Sequence, residues 1–428
     1  MAKTLKVGVV GMGHGRSHVR VFNEQIAESE VVIVCDLVED YARAASEGLG
    51  IGRWTTSYDD LLSDPDIDLI AVCTSCHLHG RHTLAALDAG KHVMVEVPMV
   101  NDSLETLWKI VRMSERRNLK VQMDNQFRWM AHTREMKRLI EEGKLGEIFY
   151  VETEYVHNIE PILIRGDGSP TFRSGLGQVC QGTIDAGGGL YAVDTAYWLL
   201  GEQFIEAFCY GNRKNLPSRH VNDHEVALFK THSGAIARVV CSKGPKRPVV
   251  EYQAVYGTQG TLETSGRLPH PPIGPGLYGC FGDEASHFGN YGWMYNISVT
   301  GSESANRKST GEPTDGQAGD YDPWKDSEAN PMKKLDVPPL SIPKDVAEKV
   351  GHGGVEVLAG LDLVQAILDD TQPPGNVYES ARSCAAAICA VQSEREGRPV
   401  KIPEIFNRSD EVRKFHPLPY SHADSQTL

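Results

Sequence analysis

The chain has 428 residues, with 43 Lys and Arg against 57 Asp and Glu and a formal net charge of −14; at about 100–200 residues per domain this length predicts two or three domains. Hydrophobic residues at 40% and charged residues at 23% are ordinary for a folded globular chain, which excludes wholesale disorder and a collagen-like repeat. The acidic balance argues against a nucleic-acid partner and against docking on an anionic membrane, because both depend on Lys and Arg meeting phosphates.

Met1-Ala2-Lys3-Thr4-Leu5 leads straight into a strand-like run rather than a signal peptide, and no stretch approaches the roughly 20 apolar residues of a membrane span, so a cytoplasmic protein is expected. Five short apolar runs follow: Val7 to Val10, Val31 to Cys35, Asp68 to Cys73, His92 to Val95 and Leu119 to Met123. Between them, His82 to Ala89 and Ser103 to Arg117 carry apolar residues at helical spacing, with Gly90 as a helix stop. This alternation predicts a parallel, doubly wound α/β sheet, a Rossmann domain, over residues 1–124.

From Gly146 the pattern changes to longer alternating strands over 148–156, 205–210, 225–231, 235–242 and 252–256. Without regular helical crossovers, these predict an α+β domain over 125–408 with a large, mostly antiparallel open sheet. Residues 266–335 are rich in Gly, Pro, Ser and Asp but hold Tyr278, Tyr291, Trp293, Tyr295 and Trp324. The aromatics predict an insertion lying on the second domain rather than a bare linker. Helices are expected again over 360–368 and 380–394, and 409–428 as a tail. Nine scattered cysteines suit reduced thiols; Cys73-Thr74-Ser75-Cys76 has no second pair at zinc spacing and is set aside as a metal or redox motif.

Gly11-Met12-Gly13-His14-Gly15-Arg16 follows the first strand and opens a helix. Glycines are needed where backbone must approach a pyrophosphate on a helix N-terminus, so Gly11, Gly13, His14 and Gly15 are candidate cofactor residues. The third glycine arrives one position earlier than in G-x-G-x-x-G, and a plain strand-to-helix turn is the alternative. Asp36 ends the second strand, where a carboxylate accepts from adenosine ribose hydroxyls and repels a 2′-phosphate. NAD is therefore expected over NADP, with Arg16 and Arg43 opposing that preference.

Three further stretches, Cys73-Thr74-Ser75-Cys76-His77-Leu78-His79, Ala86 to Pro98 and Gly143-Lys144-Leu145-Gly146-Glu147-Ile148, together with the glycine loop resemble the Gfo/Idh/MocA oxidoreductases. Gly257 to Leu262 and Gly397 to Pro403 resemble later landmarks of that family. The resemblance implies a Rossmann domain, a C-terminal domain with an open sheet, bound NAD, and oxidation or reduction of a secondary alcohol of a sugar, inositol or polyol. It also implies a homodimer or homotetramer built through the sheet. Thr74, His79, Glu96 and Pro98 then stand beside the cofactor. Two departures matter. Glu96-Val97-Pro98 lacks the family's usual lysine, and in Gly187 to Asp194 Tyr191 stands where a histidine normally acts, with Gly187 in place of an orienting Asp and Asp185 two residues upstream.

Glu-Val-Pro, the Gly13-His14-Gly15-Arg16 loop, Tyr155-Val156-His157-Asn158 and His352-Gly353-Gly354 are similar to glycoside hydrolase family 109, whose members hold NAD and cleave glycosides through transient oxidation. On that comparison Asp124 and Asn125 occupy a Glu-Asn pair and Tyr155 an active-site tyrosine, while a further catalytic histidine falls near Gly188. Hydride transfer from a carbinol leaves a proton that needs a base. Tyr191 is the first candidate, provided a nearby cation or His lowers its pKa; its alternative is a packed aromatic beside Tyr197 and Trp198. Tyr155 and His157, two apart on a strand, share one face and form a second candidate pair. Asp194, matching a family aspartate, would bind substrate hydroxyls or cap a helix. Asn125 and Arg128 follow a strand end where parallel sheets present ligand groups, and the substrate set closes with Asp124 and His352. His77, His79 and His82 invite a metal reading that is not adopted, and no metal is expected. The readings are an NAD-dependent sugar or polyol dehydrogenase, an NAD-assisted glycoside hydrolase or lyase, and a non-catalytic NAD-binding regulator.

Overall fold

Short apolar runs bounded by turn residues form the first sheet, whose strands are β1 (Leu5–Val10), β2 (Ser29–Cys35), β3 (Trp54–Thr55), β4 (Leu69–Val72), β5 (His92–Glu96) and β6 (Val121–Asp124). All pairings are parallel, in the order β3-β2-β1-β4-β5-β6. The structure is a computed structural model that describes residues 3–163, 169, 182–214, 216, 221–247, 249–264, 276–281, 333–337, 342–350 and 352–403.

Helices cover both faces, as a parallel sheet requires. On one side Ile33, Ile70, Val72, Val93 and Val95 pack in a core with Leu87, Leu107 and Ile110 from the helices Cys76–Asp88 and Leu104–Arg117. Ser103 caps the second of these by accepting from the Thr106 N–H at 3.1 Å. On the other side Val7, Val9, Val31, Leu69 and Ala71 meet Val355, Ala359, Leu363 and Val364. These come from the helix Val355–Leu368, which therefore returns from late in the chain to back the first sheet. Gln122 Nε2 donates to Ala359 O at 2.7 Å and Trp129 Nε1 to Asp362 Oδ2 at 2.7 Å, fastening that helix down.

The second sheet has nine strands: β7 (Ile148–Val156), β8 (Phe204–Asn212), β9 (His224–Thr231), β10 (Ile236–Ser242), β11 (Val250–Gly257), β12 (Gly260–Thr264), β13 (Leu277–Phe281), β14 (Lys333–Lys334) and β15 (Val400–Lys401). Their order is β14-β13-β12-β11-β7-β10-β9-β8-β15, and only β7 with β10 is parallel. The expected mostly antiparallel open sheet is therefore present. The helices Gly187–Leu200 and Val377–Glu396 cover one face. Strand alternation then decides orientation: Thr153 and Tyr155 on β7 and Glu251 on β11 point toward the helices, whereas Tyr150, Glu152, Glu154 and Tyr252 lie on the opposite face.

Parts of the expected 266–335 insertion, residues 277–281 and 333–334, form the last two strands at one end of this sheet; Tyr291, Trp293, Tyr295, Trp324 and the 409–428 tail lie outside the described residues. Cys35, Cys73, Cys76, Cys209, Cys241, Cys384 and Cys389 are free thiols. Among the described residues, no helix is long and apolar enough to cross a membrane.

Candidate active site

The carboxyl ends of β1, β2, β4, β5 and β6 carry Gly11, Asp36, Cys73-Thr74, Glu96 and Asp124 along one edge, where an open parallel sheet places ligands. Gly11 has φ +95°, and a Cβ there would collide with the Cys73 carbonyl, so the loop can cross β4 only with glycine. Gly13 faces open space. Asp36 Oδ2 accepts from the Met12 N–H at 2.7 Å and Oδ1 from the Val38 N–H at 2.9 Å. The Asp36 carboxylate and the glycine loop are thus one built cradle, and these residues fit a dinucleotide.

His79 does not face that cradle. Its ring is buried, with Nδ1 2.7 Å from Pro98 O and Nε2 2.8 Å from Thr74 O. It ties the β4 and β5 ends together. Thr74 Oγ1 pairs with His82 Nδ1 at 3.1 Å. Val97 is buried and brings no polar group.

Asp194, Arg128 and Asn125 come together in one buried cluster. Arg128 grips Asp194 in two-pronged fashion, Nε to Oδ2 at 2.6 Å and Nη2 to Oδ1 at 2.7 Å, while Asn125 and Ser383 donate to the same carboxylate. Arg128 also reaches Glu379 at 3.3 Å and lies 5.5 Å over the Trp198 ring. Asp194 is fully buried, so this constellation joins the helices Gly187–Leu200 and Val377–Glu396 to the 126–129 turn. Sequence reasoning took it for substrate-binding groups because their mutual pairing spans distant segments. Asp185, the upstream substitute, accepts from the Gly182 N–H at 2.7 Å in its own loop.

Tyr155 and His157 come together as the strand spacing predicts: the phenol oxygen is 2.9 Å from His157 Nδ1. Gly188 makes room for this, since a Cβ there would fall within the Tyr155 ring. The phenol therefore fills the volume beside the helix start where the resemblance places a histidine. Lys243, which sequence reasoning missed, puts Nζ 4.4 Å from the Tyr155 ring centroid; its signal was only a lysine at the end of a strand that pairs with β7. Burial, then the charges of Glu251 and Cys241, push the Tyr155 phenol well up. Burial and Lys243 hold the His157 imidazole below its ordinary value.

Tyr191 stacks on Phe127 at 5.3 Å and meets Tyr155 edge-on at 6.0 Å. Burial, then Glu96 and Asp124, push its phenol far above the ordinary value, which overturns the expectation that a neighbouring cation or His lowers it. Tyr191 is an aromatic wall of the basin.

A second polar cluster closes the basin. His18 Nε2 lies 2.7 Å from Glu96 Oε1 and 3.5 Å from Asp124 Oδ2, and His14 Nε2 lies 3.3 Å from Glu96 Oε1. The rings of His14 and His352 stand 5.5 Å apart, and His352 Nδ1 pairs with Glu356. Burial would raise the Glu96 carboxyl, but His14 and His18 outweigh it and hold it at about 2. Asp124 is fully buried; burial and the charge of Glu96 push its carboxyl well above the usual carboxylate range. Neither Asp124 oxygen has a hydrogen-bond partner among the described residues. The His352 side chain is 44% exposed.

The family model for Gfo/Idh/MocA oxidoreductases, described as an NAD-binding Rossmann fold, matches residues 5–125, and that for the Gfo/Idh/MocA C-terminal domain matches 133–263. The chain is 29% identical over 270 residues to inositol 2-dehydrogenase 3 of Saccharopolyspora erythraea, covering 63% of this chain and 74% of that protein. It is 24% identical to a glycosyl hydrolase family 109 protein of Streptomyces coelicolor, covering 94% of this chain and 83% of that one. A solved levoglucosan dehydrogenase in complex with NADH and L-sorbose superposes with TM-score 0.71 at 17% identity, covering 94% of this chain and 99% of that one, a likeness of fold.

Proposed function

Because the chain belongs to the Gfo/Idh/MocA family of NAD-binding oxidoreductases, we propose that it oxidises or reduces a secondary hydroxyl of a sugar, glycoside or polyol with NAD. The observation that carries this is the Gly11–Asp36 cradle together with the contact of Tyr155 with His157 and Tyr191, whose phenol feels the charge of Glu96 at the end of β5. NAD, held by Gly11, Gly13, Asp36 and the β4 and β5 ends, supplies hydride acceptance. The Tyr155 hydroxyl takes the substrate hydroxyl proton while passing its own to His157 Nδ1. A concerted hand-over suits the site, since burial disfavours a standing phenolate and His157 is held neutral, ready to accept. Lys243, over the phenol ring, steadies the negative charge that develops there, a role the family's missing lysine would otherwise fill.

We further propose that 1–124 binds the cofactor and 125–408 binds substrate and mediates self-association, in the cytoplasm, with the helix Val355–Leu368 lent back to the first sheet. The opposite face of the large sheet supports a homodimer or homotetramer: Tyr210, Leu228 and Ile236 are exposed on it beside an apolar cluster of Val250, Tyr252 and Ala254.

Mass spectrometry of the purified protein should find bound NAD. A panel of sugars, inositols and aryl glycosides should then raise the nicotinamide absorbance, with Tyr155→Phe lowering kcat by about 10²–10⁴-fold. Bound NAD with neither absorbance change nor product would overturn the catalytic reading in favour of a regulator. A second reading, redox-neutral glycoside cleavage, is favoured by the near full-length match to glycosyl hydrolase family 109 proteins, which cover 94% and 95% of this chain. It predicts aglycone release with no net NADH in the same panel.

A further inference from the structure

We propose that His14, His352 and Glu356 form a binding site for one divalent transition-metal ion beside the glycine loop. The ligand atoms of His14, His352 and Glu356 all lie within 4.8 Å of one another, as do those of His14, His18 and Glu96, so two triads share His14. His352 and Glu356 stand one helical turn apart, whereas His14 comes from the glycine loop at the other end of the chain, so no local turn brings it to them.

The surroundings point to a cation. Glu356 is fully buried and its Oε2 has no hydrogen-bond partner among the described residues; both oxygens of Asp124 behind it are in the same state. Buried carboxyl oxygens are normally satisfied, and an unmatched one costs on the order of 1–3 kcal/mol. Here the unpartnered oxygens belong to the same cluster as two imidazoles. Two imidazole nitrogens with one carboxylate is a donor set for zinc, manganese or ferrous iron rather than for calcium or magnesium. Glu96 Oε1, 3.3 Å from His14 Nε2 and 2.7 Å from His18 Nε2, orients the His14 ring as metal-supporting carboxylates commonly do. The side chains of His14 and His352 are 31% and 44% exposed, which leaves the ion an open side toward the basin. A substrate oxygen can enter there. That use rests on the oxidoreductase reading above, whereas binding of the ion does not.

The test uses the full chain as purified, with its NAD content measured by mass spectrometry. The protein is stripped with a chelator and titrated by calorimetry with zinc chloride and, separately, manganese chloride; elemental analysis follows after dialysis. One retained ion per chain is expected, with His352→Ala and Glu356→Gln each weakening binding at least about tenfold. His77→Ala serves as the control. Circular dichroism checks that the variants fold, and if Glu356→Gln does not, His14→Gln replaces it. An ion that raises the melting temperature of the wild type but not of His352→Ala supports the site. Less than a tenth of an equivalent bound, or equal affinity in wild type and His352→Ala, overturns it. NAD without metal would overturn this site alone, and metal without NAD would overturn the cofactor reading alone.

Discussion

Asp194 illustrates how a residue suited to one role is committed to another. Its carboxylate is enclosed by Arg128, Asn125 and Ser383, and its replacement by Ala would leave Arg128 buried without its main partner. Breaking a buried ion pair from one side costs about 3–5 kcal/mol. Asp194→Ala should therefore lower the urea midpoint by a corresponding amount, whereas a substrate-binding Asp194 would change KM and leave the midpoint alone. Gly188 makes the reverse case. Gly188→Ala puts a methyl group where the Tyr155 ring lies, so a loss of about 1–3 kcal/mol is expected. The tyrosine signal in near-ultraviolet circular dichroism should change, and turnover should fall at least tenfold on any substrate found.

At the level of elements, helix Ala131–Glu141 carries a charge into the core. Lys137 is buried, with Nζ donating to Trp198 O at 2.8 Å, and burial lowers its pKa to about 8. The unfolded lysine titrates near 10.4, so between about pH 8 and pH 10 the unfolded state holds more proton and stability rises with pH. Chemical denaturation across that window should show the rise in wild type, on the order of 3 kcal/mol at most, and Lys137→Met should abolish it. The strands of the parallel sheet were legible because each is an apolar run long enough to be buried on both faces. Trp54–Thr55 was not, since two residues at a sheet edge carry no period. The first turn of the helix Cys76–Asp88 was hidden by two histidines, and β12 by its glycine and threonines. Tyr155 with His157 was readable from strand alternation alone. The meeting of His14 with His352, and of Lys243 with Tyr155, depends on packing between distant segments that no local pattern encodes.

For the molecule as a whole, assembly is proposed to run through the outer face of the nine-stranded sheet. Leu228 and Tyr210 are 44% and 69% exposed, and they flank strands whose opposite faces are sealed by helices. If copies associate through this face, Leu228→Lys combined with Tyr210→Lys should shift light scattering from dimer or tetramer toward monomer. The melting temperature measured on the isolated monomer fraction should change little, because neither side chain belongs to the core. An unchanged mass would place the assembly surface elsewhere.

The helix Val355–Leu368 has a consequence for how the protein comes into being. The apolar face formed by Val7, Val9, Val31 and Leu69 is made first on the ribosome, and its cover is made hundreds of residues later. At about 5–20 residues per second, that face waits tens of seconds for its partner. Nascent chains are thus exposed to chaperones, and to one another, for most of their synthesis. Stop codons anywhere between the two sheets and that helix should produce aggregates rather than a working cofactor domain.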